Sequence, residues 1–284
     1  MAVFDTLMPA SELMQRLDDP HVVIVDCRFS LADPDQGRRD YSQGHIPGAV
    51  YAHLDADLAS TVTADSGRHP LPQPDEFVAT VRRWGVSSES QVVVYDDAGG
   101  GIAARAWWLL QWMGHEAAAL LDGGFAAWIA DSLPVSAKVE SRSPGTFSGA
   151  PASVMSIDVE EVQARLASDE NFLLVDARDS ARFRGEQEPI DPVAGHVPGA
   201  RNLPFNRSLT TNGRFLSPDE LRRLWEPLKP GQAGEWAVMC GSGVTACHLA
   251  LSAQIAGLPA PRLYVGSWSE WLREPVRGVG TGDP

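Results

Sequence analysis

The chain has 284 residues, 44% of them apolar and 21% charged, with a formal net charge of −14. That length allows one large or two medium domains, each with its own core, and the acidic balance argues against nucleic-acid phosphate as a partner. No apolar run approaches the roughly 20 residues that span a bilayer, and the stretch from Met1 to Pro9 lacks the basic and apolar regions of a signal peptide, so a cytoplasmic protein with no membrane partner is expected.

In chain order, a helical pattern over 9–17 precedes a short apolar run at 22–25. A helix follows at 75–84, an apolar run at 92–95 and a helix at 103–113. Residues 132–153 are rich in Ser, Pro and Gly without helical periodicity and are expected to form a linker. Beyond it come a helix at 157–166, an apolar run at 173–175, a helix at 218–228, an apolar run at 237–239 and a helix at 245–255. Short apolar runs of this kind fit strands buried on both faces. Their alternation with amphipathic helices predicts an α/β fold built on mainly parallel sheets with helices on both faces.

The chain repeats itself. Asp26-Cys27-Arg28 is matched by Asp176-Ala177-Arg178, and the Gly-His-Ile-Pro-Gly-Ala turn around His45 by the Gly-His-Val-Pro-Gly-Ala turn around His196. The run ending at Asp96 is matched by the run ending at Cys240, and the segment ending at Trp128 by the one ending at Trp271. The offsets lie between 143 and 151 residues, so two homologous domains are the economical reading. They are expected at 1–135 and 154–284, with the linker at 136–153. Residues duplicated in both copies (Asp26 and Asp176, His45 and His196) are expected to hold turns rather than do chemistry.

Cys240 stands where a strand ends and a helix begins, a position at which parallel sheets bind ligands. Gly241 and Gly243 permit a tight turn whose main-chain N–H groups point inward, and the helix dipole adds to them; both favour thiolate over thiol. Cys240 is thus the candidate nucleophile. Cys247, inside the following helix, is expected to be structural. Three cysteines make no disulfide framework, and Cys240 and Cys247 are seven apart with no Cys-x-x-Cys pair, so no metal site is expected; no cofactor motif occurs either. In the first half Asp96 takes the nucleophile's place, so that half is expected to be catalytically inactive.

The doubled pattern, the string Cys240-Gly-Ser-Gly-Val-Thr-Ala246, the two Gly-His turns and the two Trp-ended segments resemble the tandem rhodanese family of sulfurtransferases, and the string resembles its 3-mercaptopyruvate branch in particular. Thiosulfate-preferring members typically carry Arg-Lys where this chain has Gly241 and Ser242. The resemblance implies two tandem rhodanese-like domains and transfer of a sulfane sulfur from 3-mercaptopyruvate through a Cys240 persulfide, with release of pyruvate. The acceptor would be cyanide or a thiol, either a small thiol or a thioredoxin-like protein. It implies Ser242 and Asp55 as a proton relay to Cys240, with Arg178, Arg182 and His69 contacting substrate and Gly241, Gly243, Val244 and Thr245 lining the loop around it. A relay suits a leaving enolate that needs a proton, and a guanidinium suits a substrate carboxylate. Simpler roles remain open: Ser242 as a small loop residue, Asp55 as a turn cap, and Arg178 as scaffold paired to a carboxylate, as the matching Arg28 suggests. Other activities open at this stage are thiosulfate:cyanide sulfur transfer and non-catalytic persulfide carriage. Cysteine phosphatases place an arginine six residues after the nucleophile; Ala246 stands there and speaks against that chemistry.

Overall fold

A computed structural model describes residues 3–139, 141–169, 171–228 and 235–283. Met1 and Ala2 of the amino-terminal stretch, Glu140 of the linker and Pro284 at the end of the second half lie outside them. The chain divides into two compact units. The first holds the residues up to Ser60, Leu71–Ala152 and Leu209–Phe215; the second holds Thr61–Pro70, Ser153–Ser208 and everything from Leu216 onward. Two short segments therefore pack with the unit that their place in the sequence would not suggest.

In the first unit the elements run β1 (Leu7–Met8), α1 (Ala10–Met14), β2 (Val22–Asp26), α2 (Gln36–Gln43), β3 (Val50–Tyr51), α3 (Leu54–Asp57), α4 (Pro74–Arg83), β4 (Gln91–Tyr95), α5 (Ala103–Trp112), β5 (Ala118–Leu121) and α6 (Gly124–Ala130). The strands form one parallel sheet in the order β1-β5-β4-β2-β3, with Val23 opposite Val92 and Val93 opposite Ala119. Alternate residues Val22, Ile24, Val93, Tyr95, Ala119 and Leu121 pack on one face with Leu13 and Trp128. Their neighbours Val23, Val25, Val92, Val94 and Leu120 are equally buried on the other, as two-faced burial requires. Each such Val, Ile or Leu side chain stabilises the fold by roughly 1.5–3 kcal/mol.

The second unit repeats the plan. Its elements are β6 (Ser156–Ile157), α7 (Val159–Ser168), β7 (Leu173–Asp176), α8 (Ser180–Phe183), β8 (Arg201–Asn202), α9 (Pro218–Trp225), β9 (Trp236–Met239), α10 (Thr245–Ile255), β10 (Arg262–Tyr264) and α11 (Ser267–Trp271). The sheet order β6-β10-β9-β7-β8 is the first unit's order, again all parallel. From β7 the chain goes on to β8 on one side, and from β9 to β10 on the other. The switch of direction thus falls between β7 and β9, and the crevice at their carboxyl ends is where such sheets bind ligands.

Helix limits follow local chemistry. α9 opens on a capping box in which Ser217 and Glu220 satisfy each other's backbone N–H groups. It ends at Trp225, earlier than the expected 228, because Pro227 cannot continue an α-helix; a 3-10 turn covers Glu226–Leu228. The expected linker is no loose tether. Phe147 is buried, its N–H donates to Val86 O at 3.0 Å, and Arg82 Nε donates to Phe147 O at 2.7 Å. Gly145 makes this possible, since a Cβ there would stand 1.9 Å from Val86 O.

Candidate active site

The β7–β9 register sets Asp176 beside Met239, and Ala177 N–H donates to Met239 O at 2.8 Å. Arg178 and Cys240 therefore leave neighbouring strand ends. Cys240 is 2% exposed, and the N–H of Ser242 lies 3.5 Å from its Sγ. The loop turns from β9 into α10 through Gly243, whose φ of +76° is left-handed and whose Cβ would meet Val265 O at 2.3 Å, so glycine is required there. Val244 caps the helix and Thr245 begins it. Gly241 is small for another reason. A Cβ at 241 would come within 2.9 Å of Arg68 Nη2 and 3.7 Å of Arg182 Nη2, so its missing side chain makes room for guanidinium groups.

A second turn holds the loop from behind. Cys240 N–H donates to Ser267 Oγ at 3.1 Å, while Cys240 O and Gly241 O accept from the N–H groups of Trp268 and Ser269. Ser267 has φ +53°, a strained value for a residue with a Cβ, and its hydroxyl in turn donates to Tyr264 O. The matching position in the first unit is Gly124, with φ +57°. Comparison of the two repeats could have singled out Ser267, because a serine where its copy needs glycine signals a side chain in use.

The segment 61–70 completes the site. Gly67 lies so close to Gly266 that a Cβ would stand 2.4 Å from its carbonyl oxygen, and Arg68 N–H donates to Ser269 Oγ at 3.0 Å. This places His69, which is buried, against the loop, where its Nδ1 and Ser242 Oγ share a hydrogen bond of 2.7 Å. Asp55, the expected relay partner, sits on α3 in the first unit and is exposed; the hydrogen-bonded pair within the second unit is Ser242 with His69.

The arginines separate into two kinds. Arg178 was expected to contact substrate, but its side chain is 1% exposed and its donors are occupied: Nε and Nη2 grip Asp176, Nη2 also reaches Gly195 O, and Nη1 lies 3.5 Å from Glu188. Its guanidinium stacks over Trp268 at 4.7 Å. Arg28 does the same in the other unit, bonded to Asp26 and Gly44 O and stacked over Phe125. An arrangement built twice, once where there is no nucleophile, gives Arg178 a scaffold role. Arg182 is different. It is 14% exposed in its side chain and bonds Glu188 at 2.7 Å and Asp191 at 3.1 Å beside Gly241. Burial raises the Glu188 carboxyl, but hydrogen bonds from Arg182 and from the N–H groups of Asp191 and Ile190 outweigh it and hold it below the usual range. Arg68 bonds Asp191 from the other side. Neither Arg68 nor Asp191 belongs to a motif, so their amino-acid order carries no signal of this placement.

At the nucleophile's place in the first unit, the Asp96 carboxylate accepts N–H groups of Ala98, Gly100, Ile102 and Ala103 at 2.8–2.9 Å. The loop that encircles a thiol in one unit is filled by its own anion in the other. Among the described residues no group of three or more His, Cys, Asp or Glu could hold a metal, and no helix is long and apolar enough to cross a membrane.

The sequence pattern of the rhodanese-like domain matches residues 9–131 and again 158–274. The chain belongs to this family. Over 280 residues it is 48% identical to a probable 3-mercaptopyruvate sulfurtransferase of Pseudomonas aeruginosa, covering 98% of each chain. It is 39% identical to a Mycobacterium tuberculosis protein named provisionally as a thiosulfate sulfurtransferase, SseB, covering 97% of each. Among solved structures, SseA from Escherichia coli, described as a 3-mercaptopyruvate sulfotransferase of rhodanese fold, superimposes with a TM-score of 0.81 at 32% identity, over 93% of this chain and 98% of that one. The rhodanese domain thus occurs twice here, each time as a five-stranded parallel sheet with helices.

Proposed function

We propose that this protein is a sulfurtransferase that takes sulfur from 3-mercaptopyruvate, holds it as a persulfide on Cys240, releases pyruvate and passes the sulfur to cyanide or a thiol. The observation that carries this reading is the Cys240 loop: a buried thiol facing a main-chain N–H, with a Ser242–His69 pair and guanidinium groups beside the residues that follow it. The chemistry is a double displacement. The Cys240 thiolate attacks the donor sulfur, an S–S bond forms and the donor's C–S bond breaks. The electron pair leaves on carbon as the pyruvate enolate. The donor's thiol proton ends on that carbon, so the persulfide is left as an anion, and the acceptor then attacks its outer sulfur and restores the Cys240 thiolate. Ser242, tied to His69, is the group placed to carry that proton; Gly243, Val244 and Thr245 shape the turn that surrounds the outer sulfur. Arg182 orients the donor carboxylate.

The three cysteines are all free and buried, which fits a reducing compartment, and we place the protein in the cytoplasm with a small thiol or a thioredoxin-like protein as acceptor. A bare sulfur carrier would need only Cys240, whereas arginines and a Ser–His pair converge on it. The test is a comparison of pyruvate or sulfite release from 3-mercaptopyruvate and thiosulfate under one acceptor. Catalytic efficiency is expected to favour 3-mercaptopyruvate; a preference for thiosulfate would reassign the donor, and turnover of neither would leave a carrier. Ser242→Ala should lower kcat for 3-mercaptopyruvate by about 10²-fold or more, the usual scale of a lost general acid–base group. An unchanged kcat would remove Ser242 from the proton path.

A further inference from the structure

We infer that Ser269 is a positioning residue that sets the distance between Ser242 and His69, an inference that rests on the sulfurtransferase reading above and on its proton path. Ser269 is buried, and within the second unit it touches both stretches of chain that carry the pair. Its N–H donates to Gly241 O at 2.9 Å, which ties it to the residue before Ser242. Its Oγ accepts the N–H of Arg68 at 3.0 Å, which ties it to the residue before His69. The hydroxyl proton goes to Gly266 O at 3.1 Å, so a lone pair is left turned toward Arg68. Between the two tied residues the pair closes, Ser242 Oγ to His69 Nδ1, at 2.7 Å.

The repeat shows that the fold itself does not ask for this hydroxyl. In the first unit Phe125 N–H donates to Asp96 O, the counterpart of Trp268 N–H donating to Cys240 O, so the main-chain tie between turn and loop is kept. Where Ser269 would stand, that unit has Ala126. The hydroxyl is thus present only in the copy that holds a thiol and a Ser–His pair beside it. Without it, the segment 61–70 retains the Gly67–Gly266 contact and the bond from Arg273 Nε to Ser66 O, but loses the bond next to His69. A proton passes between Ser242 and His69 only at hydrogen-bond distance, so a displacement of about 1 Å at His69 uncouples them.

The test is a double-mutant cycle on pyruvate release from 3-mercaptopyruvate, with Ser269→Ala made alone and in a Ser242→Ala background. Alone, Ser269→Ala is expected to lower kcat about 10-fold and to change KM by less than about 2-fold, because the pair acts on the proton and not on donor binding. In the Ser242→Ala background the same substitution should cost less than about 2-fold, since no pair is left to position. A merely structural role would lower kcat by the same factor in both backgrounds, and that result overturns the inference, as does an unchanged kcat or a loss carried by KM. Should Ser269→Ala fail to fold, Ser269→Thr decides: it keeps the hydroxyl and is expected to hold kcat within about 3-fold, and a loss of about 10-fold overturns the inference. Absence of pyruvate release by the unmodified protein, or an unchanged kcat in Ser242→Ala, would strike the reading above and the inference together. Dependence on Ser242 with equal losses in both backgrounds strikes Ser269 alone.

Discussion

Replacing Cys240 with serine is expected to reduce sulfur transfer from 3-mercaptopyruvate to background, a loss of roughly 10⁴-fold or more, as for removal of a covalent nucleophile. The hydroxyl is too weak a nucleophile to capture sulfur, and nothing else in the loop can hold it. The fold should persist. The Sγ lies a long 3.5 Å from the Ser242 N–H, while the loop itself is held by main-chain bonds to Ser267, Trp268 and Ser269 that serine leaves intact. Stability to denaturant should therefore change by no more than about 1 kcal/mol, within the range of a near-isosteric exchange. Mass spectrometry after exposure to donor, without acceptor, should find one added sulfur on the unmodified protein and none on the variant. Retained turnover would remove Cys240 from the mechanism and with it the whole reading of the site.

The largest stability effect is expected at Asp96. Its carboxylate is fully buried and accepts four main-chain N–H groups, two of them at the start of α5. Asp96→Ala leaves four donors facing a void, and Gly99 and Gly100, both with positive φ, give the emptied loop little reason to keep its shape. At about 1–3 kcal/mol for each buried donor left unpaired, with some relaxation and entry of water, the loss should reach roughly 3–5 kcal/mol. Denaturant titration reads it directly, and an unchanged midpoint would show that the loop is held by something other than its anion. Asp96→Asn should lie between, because the amide keeps one acceptor and turns two donors toward the loop.

These two residues occupy matching places, and that correspondence was visible in the sequence. So were the repeat, the long central strands, the helices around Phe77, Trp108 and Leu249, and the candidate thiol with its serine neighbour. Each rests on signals that are local: apolar runs, 3.6-residue periodicity and glycine at a turn. The short elements were not visible. α2 buries only Gly37 and Tyr41 along eight mostly polar residues, and Ala118–Leu121 carries no β-branched side chain, so neither had a period or composition to reveal it. The linker composition said nothing of the backbone bonds that lay part of it along the first unit.

For the site the division follows sequence distance. The residues at 240–245 are neighbours in the chain, and their chemistry can be read from their order. Whether an arginine is a free donor or a spent one depends on what folds against it. Arg178 and Arg182 are four residues apart and look alike in the sequence, yet only the packing of Asp176, Gly195 and Trp268 buries the first and leaves the second at the loop. Arg68 and His69 come from far upstream and reach the residues that follow Cys240 because Gly67 can press against Gly266. Family and candidate nucleophile were legible in the amino-acid order alone, since both depend on local pattern and on repetition. Which cations and which hydrogen-bonding partner stand beside Gly241 and Ser242 is set by the folded chain, because long-range packing, not sequence order, brings them within reach.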